Sequence, residues 1–92
     1  MRDIEFISQF KKDYKKAQKN PSNNNLDSIL NPVLELLMND ENLTAKFRAH
    51  KLIGEYKGYE ECHLKSDLLL IYLRIDNKLI LVRLGSHSEL FS

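Results

Sequence analysis

Three histidines, His50, His63 and His87, come from three separate segments, while a carboxylate, Asp67, follows the second and a guanidinium, Arg83, precedes the third. Histidine's ordinary pKa lets it give or take a proton near neutral pH, so such a set suits general acid and base work. Each histidine alone reads as a structural residue with satisfied hydrogen bonds. Imidazole and carboxylate are also zinc ligands, but the spacing here matches no metal motif. RNA cleavage uses such a set without a metal: a base activates the 2′-hydroxyl, an acid protonates the departing 5′-oxygen, and a cation steadies the charge on phosphorus. Arg83 is the candidate cation. Phe91 is an aromatic that could stack on a base and hold the phosphate in line.

Strands must bring these groups together. Leu68 to Tyr72 is an apolar run with β-branched and aromatic members, which predicts a central strand buried on both faces. Leu64 to Asp67 reads as a short polar turn before it, setting His63 at the end of one strand and Asp67 at the start of its antiparallel neighbour. Upstream, alternation puts Tyr59, Glu61 and His63 on one face. Lys78 to Leu84 is the last strong strand, joined to Leu68–Ile75 by a tight turn at Asp76-Asn77, and alternation along it puts Leu79, Leu81, Arg83, Gly85 and His87 on one face. The remainder, Gly85 to Ser92, is too short for a further core element. Phe91 there folds back on the sheet rim or waits for a flat ligand.

The N-terminal half supplies the support. Ile4 and Phe6 alternate with charges as in a short strand with one buried face, and Ser8 is placed to cap a helix. Ile7, Phe10, Tyr14 and Ala17 form that helix's apolar stripe. Lys11, Lys12, Lys15, Lys16 and Lys19 fill its back, either as a solvated face or as a phosphate-binding stripe. Asn20 to Asn25 is a turn-forming link. Leu26, Ile29, Leu30, Val33, Leu34 and Leu37 then mark a second helix starting near Asp27, with a distorted first turn because Pro32 lacks an N–H. The two helices form a hairpin across one sheet face. Met38 to Lys51 loses the period, leaving Phe47 and Leu52 as anchors and His50 in a loop.

Ninety-two residues make one domain, 1–92, and 42% hydrophobic with 29% charged residues is a globular composition. A single cysteine, Cys62, excludes an internal disulfide and points to a reducing compartment. No apolar stretch approaches a membrane span and Met1 to Glu5 lacks the apolar region of a signal peptide, so the cytoplasm is the expected location. A net charge of +1 says little about partners, whereas five lysines within nine residues say more.

Four runs carry a family resemblance: His50-Lys51-Leu52-Ile53-Gly54, Gly58 to Leu64, Asp67 to Tyr72, and Arg83-Leu84-Gly85-Ser86-His87-Ser88-Glu89-Leu90-Phe91. Together they closely resemble the YafQ-type branch of the RelE superfamily, essentially end to end. Members are small α+β toxins of type II toxin-antitoxin systems, with a two-helix hairpin on a small antiparallel sheet. The resemblance implies an endoribonuclease without cofactor that cleaves mRNA in the ribosomal A site and is silenced by a cognate antitoxin. It implies that His50, His63, Asp67 and His87 form the catalytic cleft, that Arg83 assists at the phosphate, and that Phe91 positions the RNA; within that cleft His87 is expected to be the acid or base nearest the scissile phosphate, with Asp67 orienting or assisting His63. Lys11, Lys12, Lys15, Lys16 and Lys19 would then dock on ribosomal RNA phosphates. This chain departs from the pattern at Ser66, where proline is common, at Tyr56, where tryptophan is common, at Glu60, often an arginine, and at Pro32. A catalytically idle antitoxin- or RNA-binding module is the alternative, if the altered turn at Ser66 misplaces Asp67.

Overall fold

Five strands form one sheet in the order β1-β5-β4-β3-β2 in the computed structural model, which describes residues 1–91. The strands are β1 (Asp3–Phe6), β2 (His50–Lys51), β3 (Glu60–Lys65), β4 (Leu68–Ile75) and β5 (Lys78–Gly85). The helices are α1 (Ser8–Gln18), α2 (Leu26–Met38) and the short α3 (His87–Phe91). The expected α+β layout stands, with one change: β1 runs parallel to β5, so the sheet is mixed rather than wholly antiparallel. A parallel neighbour needs a long crossover, which the hairpin and the three following strands provide.

β4 is buried from Leu68 through Tyr72 because it is the middle strand and both of its faces are covered. Leu68, Leu70 and Tyr72 point into the main core with Phe10, Leu30, Val33 and Leu37 of the hairpin, while Leu69 and Ile71 point to a smaller cluster with Val82 and Leu90. The anchors Phe47 and Leu52 pack on opposite faces, the first on the main core and the second on the smaller cluster. Fully burying a leucine or isoleucine contributes about 1.5–3 kcal/mol, so this double coverage makes β4 the strand on which the rest is registered.

Helix α2 spans Leu26–Met38 with Pro32 inside it. Its first turn is formed, since the Ile29 N–H donates to the Asn25 carbonyl at 3.3 Å, and the cost of Pro32 is the missing donor toward the preceding turn. Leu26, Leu30, Val33, Leu34 and Leu37 are buried on one side and hold the helix against that loss. In α1, Ser8 is the first helical residue rather than the cap; Ile7 occupies the cap position, and no side chain bonds there.

Two bulges decide where side chains near the sheet rim point. Between β3 and β4 the register slips at Leu64, so Leu64 and Lys65 both face the helices; between β4 and β5 it slips at Val82, so Val82 and Arg83 both face away from them. The simple alternation that grouped Arg83 with Leu79 and Leu81 therefore fails. Both leucines lie in the main core, and Arg83 pairs with Ile71 on the opposite face.

The C-terminal segment does build an element. Ser86 and Glu89 form a reciprocal cap: the Glu89 N–H donates to Ser86 Oγ at 3.2 Å, and the Ser86 N–H donates to Glu89 Oε1 at 2.8 Å. Helix α3 then buries Leu90 on the smaller cluster. Gly85 permits the fold-back, because a Cβ there would lie 3.0 Å from Glu89 Oε1 and 3.3 Å from Leu90 Cδ2. Leu90→Ala is expected to cost about 2 kcal/mol, the low end for a buried leucine because a terminal helix can relax. A urea titration checks this.

Candidate active site

The sheet face away from the hairpin carries the ionisable groups in two rows. Pairing aligns His50 with Glu61, Ile71 and Arg83 in one row, and His63 with Leu69 and Gly85 in the next. Directly paired residues share a face, so strand register alone brings His50, Glu61 and His63 together. His50 therefore sits on the two-residue strand β2 and not in a loop.

His87 begins α3, directly beyond Gly85, and the turn at Ser66-Asp67 faces it. Asp67 Oδ1 accepts the backbone N–H of His87 at 3.0 Å and its ring Nδ1–H at 2.9 Å. These two bonds hold the Asp67 carboxyl below its usual range, with the backbone bond the larger cause. They also leave His87 Nε2 as the ring's outward nitrogen, on a side chain 56% exposed. The ring centroids of His63 and His87 are 5.5 Å apart, and those of His50 and His63 are 6.3 Å apart.

Behind the histidines lies Glu61, 3% exposed. Its Oε1 is 3.3 Å from His50 Nε2 and 3.6 Å from His63 Nε2, while its Oε2 has no partner among the described residues. His50 Nδ1 is 2.7 Å from the Arg48 carbonyl, which can only accept, so that nitrogen carries a proton. His63 is buried enough that desolvation, the largest effect on it, pulls its pKa below the ordinary 6.5 despite the opposing pull of Glu61.

Arg83 is built in from the other side. Its Nε donates to Asp13 Oδ2 at 2.8 Å and its Nη2 to Asp13 Oδ1 at 3.4 Å, while the Leu84 N–H also donates to Asp13 Oδ2 at 3.0 Å. β1 pairs only with the Lys78–Leu81 part of β5, so Asp13 of α1 takes up the strand edge that β1 leaves open. The Asp13 contact, chiefly its hydrogen bond, raises the pKa of Arg83 further, so the guanidinium is always charged. Phe91 is 47% exposed and meets Tyr56 edge-on, with ring centroids 6.0 Å apart. A base could still stack on it.

The family described as "Bacterial toxin of type II toxin-antitoxin system, YafQ" matches residues 2–92. The chain belongs to the YafQ family. The mRNA interferase toxin YafQ of Escherichia coli K12 is 40% identical over 91 residues, covering 98% of this chain and 96% of that protein. The E. coli YafQ in a crystal structure of the DinJ-YafQ complex matches with a TM-score of 0.82 at 37% identity, covering all of both chains. A copper-bound mutant toxin from Helicobacter pylori matches with a TM-score of 0.91 at 44% identity, covering 99% of this chain and 100% of that one. In this YafQ-family chain no group of three His, Cys, Asp or Glu side chains among the described residues is spaced to hold a metal ion. His50 and His63 stand from Glu61 Oε1 at 3.3 and 3.6 Å, ion-pair distances.

The structure thus brings His50, His63, Asp67 and His87 to one end of one sheet face, with Arg83 on that face and Phe91 at its rim. One pairing differs from the expectation: Asp67 bonds His87, and the carboxylate beside His63 is Glu61. Serine at 66 does not prevent Asp67 from reaching its partner. The five lysines do not form a single stripe. Lys12, Lys16 and Lys19 line a groove that reaches Asp67 and Ser86, whereas Lys11 and Lys15 border a separate apolar groove with Phe6, Phe10 and Leu34. Helical spacing separates the two sets, since positions 12, 16 and 19 share one face and 11 and 15 another. Sequence reasoning missed Glu61 as a site residue and Asp13 altogether. Asp13 lies on the apolar stripe, three residues after Phe10 and four before Ala17, and that was its signal.

Proposed function

We propose that this chain is a toxin that inhibits translation by cleaving mRNA in the ribosomal A site, through acid and base catalysis by its histidines. The observation that carries the reading is the Asp67–His87 pair beside His63, which sets two imidazoles in different environments 5.5 Å apart. Two imidazoles held side by side, one largely buried next to Glu61 and the other exposed and tied to Asp67, can divide the roles of base and acid. His63, kept neutral by desolvation, takes the proton of the 2′-hydroxyl as it attacks the adjacent phosphorus. His87, oriented by the Asp67 carboxylate through its Nδ1, gives its Nε2 proton to the departing 5′-oxygen. The P–O5′ bond breaks, leaving a 2′,3′-cyclic phosphate and a 5′-hydroxyl. Arg83 stabilises the added charge on the phosphoryl oxygens, the His50–Glu61 pair backs His63, and Phe91 stacks on a base.

The sign of the pH dependence follows. Protonating His63 removes the base, so kcat/KM falls on the acid side through the lowered pKa of His63, and that limb lies below pH 6.5. His63→Gln abolishes the limb along with most of the rate. A pH–rate profile on a single substrate checks both statements.

The partners of this reading are the ribosome with its mRNA and a cognate antitoxin, as in the DinJ-YafQ toxin-antitoxin complex of E. coli. Its place of action is the cytoplasm. No helix among the described residues is long and apolar enough to cross a membrane. The test is cleavage of a reporter mRNA with and without programmed ribosomes. Cuts that require the ribosome are expected. Ribosome binding without any cut would replace this reading with a catalytically idle binding module.

A further inference from the structure

We infer that the groove between α1 and the β3–β4 turn is a binding site for single-stranded RNA backbone, and that it holds the mRNA strand flanking the cut. The inference rests on the RNA-cleaving reading above and adds a second subsite to it. The groove has a volume of about 1070 Å³, and its wall runs from Lys19 at the end of α1 to Asp67, Gly85 and Ser86, the residues that seat His87. A strand leaving the scissile phosphate along this wall stays on the protein.

Charge supports the same occupant. The whole chain carries a net charge of +1, yet five cations face three carboxylates in this groove. Each of those carboxylates is already engaged: Asp13 with Arg83 at 2.8 Å, Glu89 with Lys16 at 2.8 Å, and Asp67 with His87 at 2.9 Å. Lys65 is held by the Ser22 carbonyl and by Asn23 Oδ1, neutral acceptors that fix the ammonium without cancelling its charge. The bulge at Leu64 aims it there. Lys12 and Lys19 have no carboxylate partner among the described residues, so three uncompensated ammonium groups remain along the groove. An apolar or basic peptide would find little to bind here, whereas a chain of phosphates and 2′-hydroxyls finds cations interleaved with the hydroxyls and amides of Ser66, Ser88 and Asn20.

The two faces of α1 supply the control. Lys12→Glu/Lys19→Glu and Lys11→Glu/Lys15→Glu make the same change in net charge at exposed positions, one on the groove and the other on the far side. The probe is a fluorescent nine-nucleotide RNA made uncleavable by 2′-O-methyl groups, titrated without ribosomes over a range of salt; a three-nucleotide version tests for the second subsite. For the nonamer, the groove pair is expected to lose tenfold or more in affinity and to flatten the salt dependence of log K by about 1.4, some 0.7 for each phosphate contact on a single strand. The far pair should stay within about twofold, and the trinucleotide should barely distinguish the two. Equal losses for both pairs would overturn the groove in favour of a diffuse basic surface. Loss of ribosome binding by the groove pair with unchanged nonamer affinity would overturn it in favour of a ribosomal RNA contact. Neither result touches the cleavage reading, which stands or falls on His87.

Discussion

Replacing His87 with alanine is expected to slow mRNA cleavage by about 10²- to 10⁴-fold, the usual worth of a positioned proton-transfer group, while leaving the fold intact. The fold survives because the His87 ring is more than half exposed and α3 is held by its Ser86–Glu89 cap and by Leu90. Asp67→Asn separates positioning from charge. The amide can still accept the His87 N–H through its oxygen, but it no longer sets a negative charge against the ring, so the rate should fall by less than in His87→Ala and with little change in KM. Single-turnover cleavage on programmed ribosomes measures both, and a thermal melt confirms that each variant is folded. An unchanged rate in His87→Ala would remove this histidine from the chemistry.

The second large effect is expected at a residue that takes no part in the proton transfers. Asp13 is 9% exposed and satisfies two groups of β5 at once, the Arg83 guanidinium and the Leu84 N–H. Asp13→Ala leaves a half-buried cation and a buried donor without partners, a loss on the order of 3 kcal/mol. For a domain of this size that corresponds to a fall in Tm of roughly 10 °C or more. Asp13→Asn keeps an oxygen for the Leu84 N–H and loses the charge, so its cost should be clearly smaller. If both variants melt with the wild type, the Asp13–Arg83 clamp does not hold α1 to the sheet. Differential scanning calorimetry of the three chains decides.

Much of the site was legible because it depends on strand parity over short distances. Glu61 and His63 are two residues apart on one strand, and the Ser66-Asp67 turn lies between that strand and the apolar run that had to be central. The resemblance added the roles expected of these residues. Parity failed where a bulge intervened, since one extra residue at Val82 turned Arg83 to the face opposite Leu81, and nothing in Leu-Val-Arg-Leu announces it. The parallel pairing of β1 was equally silent, because a four-residue strand with one half-buried apolar residue, Ile4, reads alike in either direction. Helix α3 was legible and overlooked: Ser86-His87-Ser88-Glu89 has the spacing of a reciprocal cap. Glu61 and Asp13 escaped for a shared reason. A carboxylate in a charged neighbourhood looks solvated until the fold places it under a neighbouring element, and only then does its role as an anchor appear.

The central claim is that histidines cleave RNA by internal transfer to the 2′-hydroxyl, and the chemistry of the new ends tests it most directly. An end-labelled mRNA cut on programmed ribosomes by the wild-type chain should yield a downstream fragment with a 5′-hydroxyl and an upstream fragment ending in a 2′,3′-cyclic phosphate or the 3′-phosphate formed from it. A substrate with 2′-deoxyribose at the cleavage position should not be cut. A downstream fragment carrying a 5′-phosphate, or cleavage that persists at the deoxy position, would contradict the mechanism, because water and not the 2′-hydroxyl would then be the nucleophile.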